Sequence, residues 1–127
     1  MLVDIRTQVF ILEQQVPVEL EWDELDANAI HLLAQDKLGK PLGCARITDQ
    51  GKIGRMAVLK SSRGKGIGKA LLNTAIEQCR ARHWLDISLS AQTYAIGFYE
   101  KTGFMVCSDV YMDAGIPHRD MKLHLTY

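Results

Sequence analysis

The stretch Ser61-Ser62-Arg63-Gly64-Lys65-Gly66-Ile67-Gly68-Lys69-Ala70-Leu71-Leu72 decides how this chain is read. Glycines at 64, 66 and 68 let backbone N–H groups turn toward a ligand with no Cβ in the way. A helix is predicted from Ile67, because Ile67, Ala70, Leu71, Thr74, Ala75 and Gln78 recur at the spacing of one core-facing stripe. Its positive end points at the glycines, which suits a phosphate or pyrophosphate, and Arg63, Lys65 and Lys69 add full charges. Two common phosphate folds are excluded by spacing. A nucleotide P-loop needs glycine where Arg63 stands and a hydroxyl where Ala70 stands. A dinucleotide fingerprint begun at Gly66 needs glycine in place of Leu71.

Upstream of the loop, residues 52–59 read as a strand, and 30–35 and 42–48 as two more joined by the turn Lys37-Leu38-Gly39-Lys40. Residues 2–14 carry apolar side chains at helical spacing, and Val16-Pro17 ends that helix. The acidic segment Glu19–Asp26 reads as a loop or short helix. Downstream, residues 84–90 read as a strand and Thr93–Thr102 as a helix stopped by Gly103. Residues 104–112 and 119–125 read as closing strands around the turn Asp113-Ala114-Gly115-Ile116-Pro117. Antiparallel strands first, then strand–loop–helix–strand, predict one mixed α/β domain over residues 1–127.

Composition bounds the function. The chain has 127 residues, 47% hydrophobic and 24% charged, as in an ordinary globular domain. No apolar run reaches the ~18 residues of a membrane span, and Met1 opens no signal peptide. Cys44, Cys79 and Cys107 are far apart in apolar surroundings and read as reduced core thiols of a cytoplasmic protein. His31, His83, His118 and His124 show no metal-ligand spacing, so no metal is expected. Net charge is zero but divided. Residues 1–30 hold seven acids against Arg6, and residues 51–76 hold six bases and no acid. Opposed blocks suggest a basic site for an anionic ligand and an acidic one for a cationic ligand. The neutral total argues against a nucleic-acid partner.

Arg63-x-x-Gly66-x-Gly68 resembles the pyrophosphate loop of the GNAT acetyltransferases, (Arg/Gln)-x-x-Gly-x-(Gly/Ala). A second motif, Gln92-x-x-Ala95-x-x-x-Tyr99-x-Lys101-x-Gly103-Phe104, is similar to the family's Asn-x-x-Ala-x-x-x-Tyr-x-Lys-x-Gly-Phe and departs only at Gln92. Val9 through Gln14, with Pro17, Glu21, Asp23, Asp26 and His31, and the tail Gly115-Ile116-Pro117-His118, resemble the small ElaA-like bacterial members. The resemblance implies the GNAT acyl-CoA fold, a central, mostly antiparallel sheet flanked by helices. The family's usual first strand is expected to be missing or very short, in a natural or a shortened sequence.

The resemblance also implies acetyl-CoA as co-substrate. Met56 and Val58 would pair with the pantetheine arm through their backbone, and Gln92 would line the cofactor site. Arg63, Gly64, Lys65, Gly66, Ile67, Gly68 and Lys69 would hold the pyrophosphate. Tyr99 would donate a proton to the leaving thiolate; an ordinary thiol at ~8.5 and phenol at ~10 make that transfer slightly uphill. An alkyl ammonium at ~10.4 is ~3.4 units from neutral at pH 7, ~4.6 kcal/mol that a base or water chain must meet. Glu13, Glu21, Asp23 and His118 are the candidate bases, with Glu13 preferred; Glu21, Asp23 and His118 are also read as acceptor-binding. Phe98, Phe104 and Trp84 read as core. A small-molecule or peptide amine is the expected partner, and a homodimer is left open. A non-catalytic acyl-CoA sensor on the same fold is the alternative.

Overall fold

The structure, a computed structural model, describes residues 29–126. The expected N-terminal helix, the missing or short first strand, and Glu13, Glu21 and Asp23 lie outside the described residues.

Strands β1 (Ile30–Gln35), β2 (Pro41–Ile47) and β3 (Lys52–Val58) form an antiparallel meander. The β1–β2 turn is built on Asp36, whose Oδ1 accepts the N–H of Leu38 at 2.8 Å and of Lys40 at 2.9 Å. Helix α1 (Ile67–Ala81) then crosses to β4 (Asp86–Gln92), which runs parallel to β3. A 3₁₀ turn (Thr93–Ala95) leads into the short α2 (Ile96–Glu100), followed by β5 (Met105–Val106), β6 (Tyr111–Asp113) and β7 (Ile116–His124). The sheet order is β1-β2-β3-β4-β7-β5, with β6 also on β7, and β3–β4 is its one parallel pair among the described residues.

Side-chain alternation gives the sheet two unlike faces. One is apolar and packs on α1: Ile47, Ile53, Ile87, Leu89 and Met121 meet Leu72, Ala75, Ile76 and Cys79. A Cβ on Gly43 would come within 2.8 Å of the Ala57 carbonyl oxygen and 3.1 Å of Leu71 Cδ1, so only glycine lets α1 approach here. The other face is polar, since its register places Arg46 opposite Gly54, Ser90 opposite Asp120, and Gln92 opposite His118.

Several expectations are corrected. The buried side of α1 is Leu71, Leu72, Ala75, Ile76 and Cys79, whereas Ala70 and Thr74 are exposed and Gln78 is half-buried. The strand expected at 84–90 begins at Asp86, because Trp84 N–H is spent on the Cys79 carbonyl at the end of α1. Residues 107–110 leave the regular strand, Cys107 N–H making the last backbone bond to β7 at the Asp120 carbonyl, 2.8 Å away. Ser108 Oγ accepts the Asp120 N–H at 2.8 Å, and its carbonyl takes Arg119 Nε at 3.0 Å. The last turn shrinks to Ala114-Gly115, with φ of 52° and 78°, so Ile116, Pro117 and His118 belong to β7. Phe104 is buried as expected and Trp84 packs on the core, but Phe98 is exposed. Cys44 and Cys79 are buried thiols; Cys107 is exposed.

Candidate functional site

A cavity of about 460 Å³ opens where β3 and β4 part. They pair only at Lys52↔Ser88 and Ile53↔Leu89, and from Gly54 onward they diverge. A bulge contributes on the β3 side: the β2 register jumps from Cys44↔Ala57 to Arg46↔Gly54, so Ala45 faces both Arg55 and Met56. Arg55 takes a φ of +47°, unusual for a residue with a Cβ, and its carbonyl accepts Cys44 Sγ at 3.5 Å. Gly54 through Val58 therefore line one wall, and Ser90, Gln92, Tyr94, Ala95 and Tyr99 the other.

The free edge of β3 points into this cleft. Leu59 N–H is bonded to the Leu42 carbonyl of β2 at 2.8 Å. Alternation then turns the peptide groups of Val58, and of Met56 before it, the other way. Arg63 Nε reaches the Val58 carbonyl at 3.0 Å, which confirms its direction. Met56, Val58 and Gln92 line the cavity. Arg63 lines it too, with Nε committed to the strand end.

Beyond Val58 the chain makes a 3₁₀ turn (Lys60–Ser62) and enters the glycine loop. Gly64 and Gly66 have φ of 80° and 79°, where a Cβ is strained whatever the space, and an added Cβ would find nothing within 4 Å. Gly66 caps α1 without any side-chain cap bond, so the N–H groups of Ile67, Gly68 and Lys69 keep the character of an open helix N-terminus. Gly68 serves packing: its Cβ position is 3.7 Å from Phe98 Cζ and 3.9 Å from Val58 Cγ2. Lys65 and Lys69 are exposed beside the loop.

Tyr99 stands across the cleft, edge-on to Phe98 and Phe104 at centroid distances of 5.1 and 6.2 Å. The rest of its motif holds it there. Phe104 N–H bonds the Tyr99 carbonyl at 3.3 Å, and Gly103, at φ 104°, ends the helix so that Phe104 enters the core. Burial, and then the neighbouring Tyr94, push the Tyr99 phenol up to about 12. This corrects the expectation of a nearly matched donor. Against an ordinary thiol, full transfer would be ~3.5 units uphill, so at neutral pH the Tyr99 hydroxyl keeps its proton and faces the cleft as a neutral donor.

His118, buried on β7, reaches the same cavity, with Asp113 beside it. Its Nδ1 lies 2.7 Å from the Ile116 carbonyl oxygen, and its ring stacks on Tyr111 at 6.1 Å and 20°. Tyr111 Oη donates to Asp120 Oδ1 at 2.5 Å and contacts Ser90 Oγ. Sequence reading missed Arg46, Arg55, Ser90, Tyr111 and Asp120. An arginine in the otherwise apolar strand Pro41–Ile47 was the only local signal, and the other four residues need the sheet register. Arg46 is 5% exposed, and with Lys52, Arg55 and Arg63 it gives the described cavity wall four bases against Asp113.

Residues 4–125 match the model of the acetyltransferase (GNAT) domain family. The chain is 40% identical over 122 residues to the uncharacterized N-acetyltransferase YjcF of Bacillus subtilis, covering 92% of this chain and 86% of that protein. Among solved structures it resembles an acyl-CoA N-acyltransferase from Pseudomonas aeruginosa, with 34% identity, a TM-score of 0.84 and coverage of 95% and 86%. Escherichia coli ElaA is similar at 30% identity, a TM-score of 0.83 and the same coverage.

Proposed function

The chain belongs to the GNAT acetyltransferase family and is an acetyltransferase, and from that premise we propose that it transfers the acetyl group of acetyl-CoA to a primary amine by direct attack on the thioester. The observation that carries this reading is the parting of β3 from β4 after Ile53 and Leu89. Among the described residues it leaves a strand edge at Met56 and Val58 with no neighbouring strand, met only by Arg63 Nε at the Val58 carbonyl, that runs into the glycine loop and the start of α1. An extended pantetheine arm can pair with that edge as an added strand while its pyrophosphate meets the helix N-terminus. The thioester end then lies toward Gly54 and Tyr99, where a backbone N–H can stabilise the oxyanion and the Tyr99 hydroxyl the sulfur.

The acceptor is proposed to be a cationic small-molecule or peptide amine. Support comes from the acid-rich first 30 residues, including Glu21 and Asp23. The described cavity wall carries the opposite charge. An ammonium beside Arg46 and Arg55 is disfavoured relative to the neutral amine, which lowers the ~4.6 kcal/mol cost of making the nucleophile. Thiol release from acetyl-CoA, measured over a panel of primary amines, tests the reading. Tight coenzyme A binding with no release on any amine would favour an acyl-CoA sensor instead.

A further inference from the structure

We propose that His118 takes the proton of the attacking amine at Nε2, and that Tyr111, pinned by Asp120, positions its ring for the task. This rests on the N-acetyltransferase reading above. A carbonyl oxygen can only accept, so the 2.7 Å contact with Ile116 places a hydrogen on Nδ1. In the neutral ring the lone pair is then on Nε2, the nitrogen turned from the backbone and left for the cavity that His118 lines. The hairpin makes this possible. The Ala114-Gly115 turn starts β7 at Ile116, and His118, two residues on, reaches back to that carbonyl.

The ring is held from its other side as well. Tyr111, the register partner of His118 on β6, lies nearly parallel to it, 20° off. Its hydroxyl is fixed by Asp120 Oδ1 and by Ser90 Oγ, from β7 and β4. Burial and the bond to Asp120 raise the Tyr111 pKa, so the hydroxyl keeps its proton and the clamp persists through neutral pH. The imidazole is thereby held at a cleft that Tyr99 also lines, with Gly54 through Val58 on the facing wall.

The step balances. The amine nitrogen bonds the thioester carbonyl carbon, and one N–H proton passes to His118 Nε2, leaving an imidazolium. The C–S bond then breaks with its electron pair on sulfur as the carbonyl re-forms, and the thiolate takes the imidazolium's proton, directly or relayed through water. The products are the amide and coenzyme A, and the ring returns to neutral. Titratable or charged groups around His118 are Asp113 and Tyr111 on β6, Arg119 and Asp120 on β7, Tyr94 and Tyr99 on the wall that follows β4, and Lys52, Arg46, Arg55 and Arg63 on the facing one.

The test is the pH dependence of kcat/KM for His118→Gln with acetyl-CoA and an accepted amine, beside wild type, Glu13→Gln and Tyr111→Phe. For His118→Gln we expect a fall of about 10²- to 10⁴-fold, an unchanged coenzyme A Kd and loss of the acid limb of the profile. Tyr111→Phe should lower kcat by a smaller factor and keep the limb. Long-range ¹H–¹⁵N spectra of the wild-type protein should show the Nδ1–H tautomer at His118, a readout that does not depend on the variant folding. Wild-type rates and limb in His118→Gln, loss of the limb in Glu13→Gln instead, or an Nε2–H tautomer would each overturn the proposal. A wild-type enzyme inactive on every amine removes the N-acetyltransferase reading and this inference with it.

Discussion

Ile53 of β3 faces Leu89 of β4, and this is the last pair of the parallel contact; one residue further, Gly54 and Ser90 already border the cavity. The two apolar side chains close the sheet on the α1 side and the split begins at once. Amide exchange should therefore report the arm's position. Binding of coenzyme A should protect the N–H groups of Met56 and Val58, on the open edge. Leu59, already bonded to Leu42, should change little. Residue-resolved hydrogen exchange with and without coenzyme A decides it, and unchanged exchange at Val58 in the saturated complex counts against strand-like pairing.

The glycine loop should set the affinity for coenzyme A. Gly66 sits at φ 79°, so Gly66→Ala strains the backbone, and Gly66→Trp adds bulk in the open space above the helix N-terminus. Both should weaken coenzyme A binding, tryptophan more, and wild-type affinity itself should fall with salt. Calorimetry on variants with native circular dichroism provides the measurement. A folded Gly66→Trp protein with wild-type affinity would remove the loop from the site.

Cysteine reactivity should follow burial. Cys107 is exposed, whereas Cys44 and Cys79 are 1% and 0% exposed, and burial raises the Cys79 thiol against the opposing pull of Arg82. In the native protein one thiol should react quickly with a maleimide, and Cys107→Ser should abolish that phase. The other two should react only on unfolding. Fast labelling that survives Cys107→Ser contradicts the core placement.

Alkaline pH should loosen the fold through two half-buried phenols, Tyr99 and Tyr111. The Tyr99 pKa is raised to about 12 from an ordinary 10, so above pH 10 the unfolded state loses this proton before the native state does. The stability contributed by the neutral phenol is complete below pH 10 and is lost as pH rises toward 12. Tyr111 acts in the same direction. Denaturant midpoints should therefore fall across this window, and Tyr99→Phe should flatten part of the decline.

The cofactor half of the site was legible because its chemistry lies in continuous segments. Arg63 to Gly68 and Gln92 to Phe104 each fix spacing within one continuous segment, and Arg63 from the first and Gln92, Ala95 and Tyr99 from the second line the same cleft. The other half depends on pairing across strands. His118 meets Tyr111 and Gln92 only through the β6–β7 and β4–β7 registers, and the two-residue turn before β7 reads as five residues long in the sequence. The stripe of α1 was displaced for a related reason. Leu72, Ile76 and Cys79 are apolar too, and packing on a sheet with Gly43 removed from the way chose them over Ala70 and Thr74.

Tyr99 should act on turnover and leave binding nearly untouched. Its ring is wedged edge-on between Phe98 and Phe104, so Tyr99→Phe keeps the packing and should leave fold and acetyl-CoA Kd unchanged. What disappears is one neutral donor on the wall of the cleft. Because burial holds the phenol near 12, its expected part is to hydrogen-bond the sulfur as negative charge develops, with little proton transfer. A thiolate leaves easily, so the loss in kcat should be at the low end for acid catalysis, roughly 10- to 100-fold. The pH profile adds a second check. A donor that stays protonated contributes no limb below pH 10, so the shape of kcat against pH should survive the substitution while its height falls. Steady-state kinetics under conditions where chemistry limits the rate settle the matter. Wild-type kcat in Tyr99→Phe would leave the residue as packing alone, and a changed acid limb would mean that Tyr99 is coupled to the base.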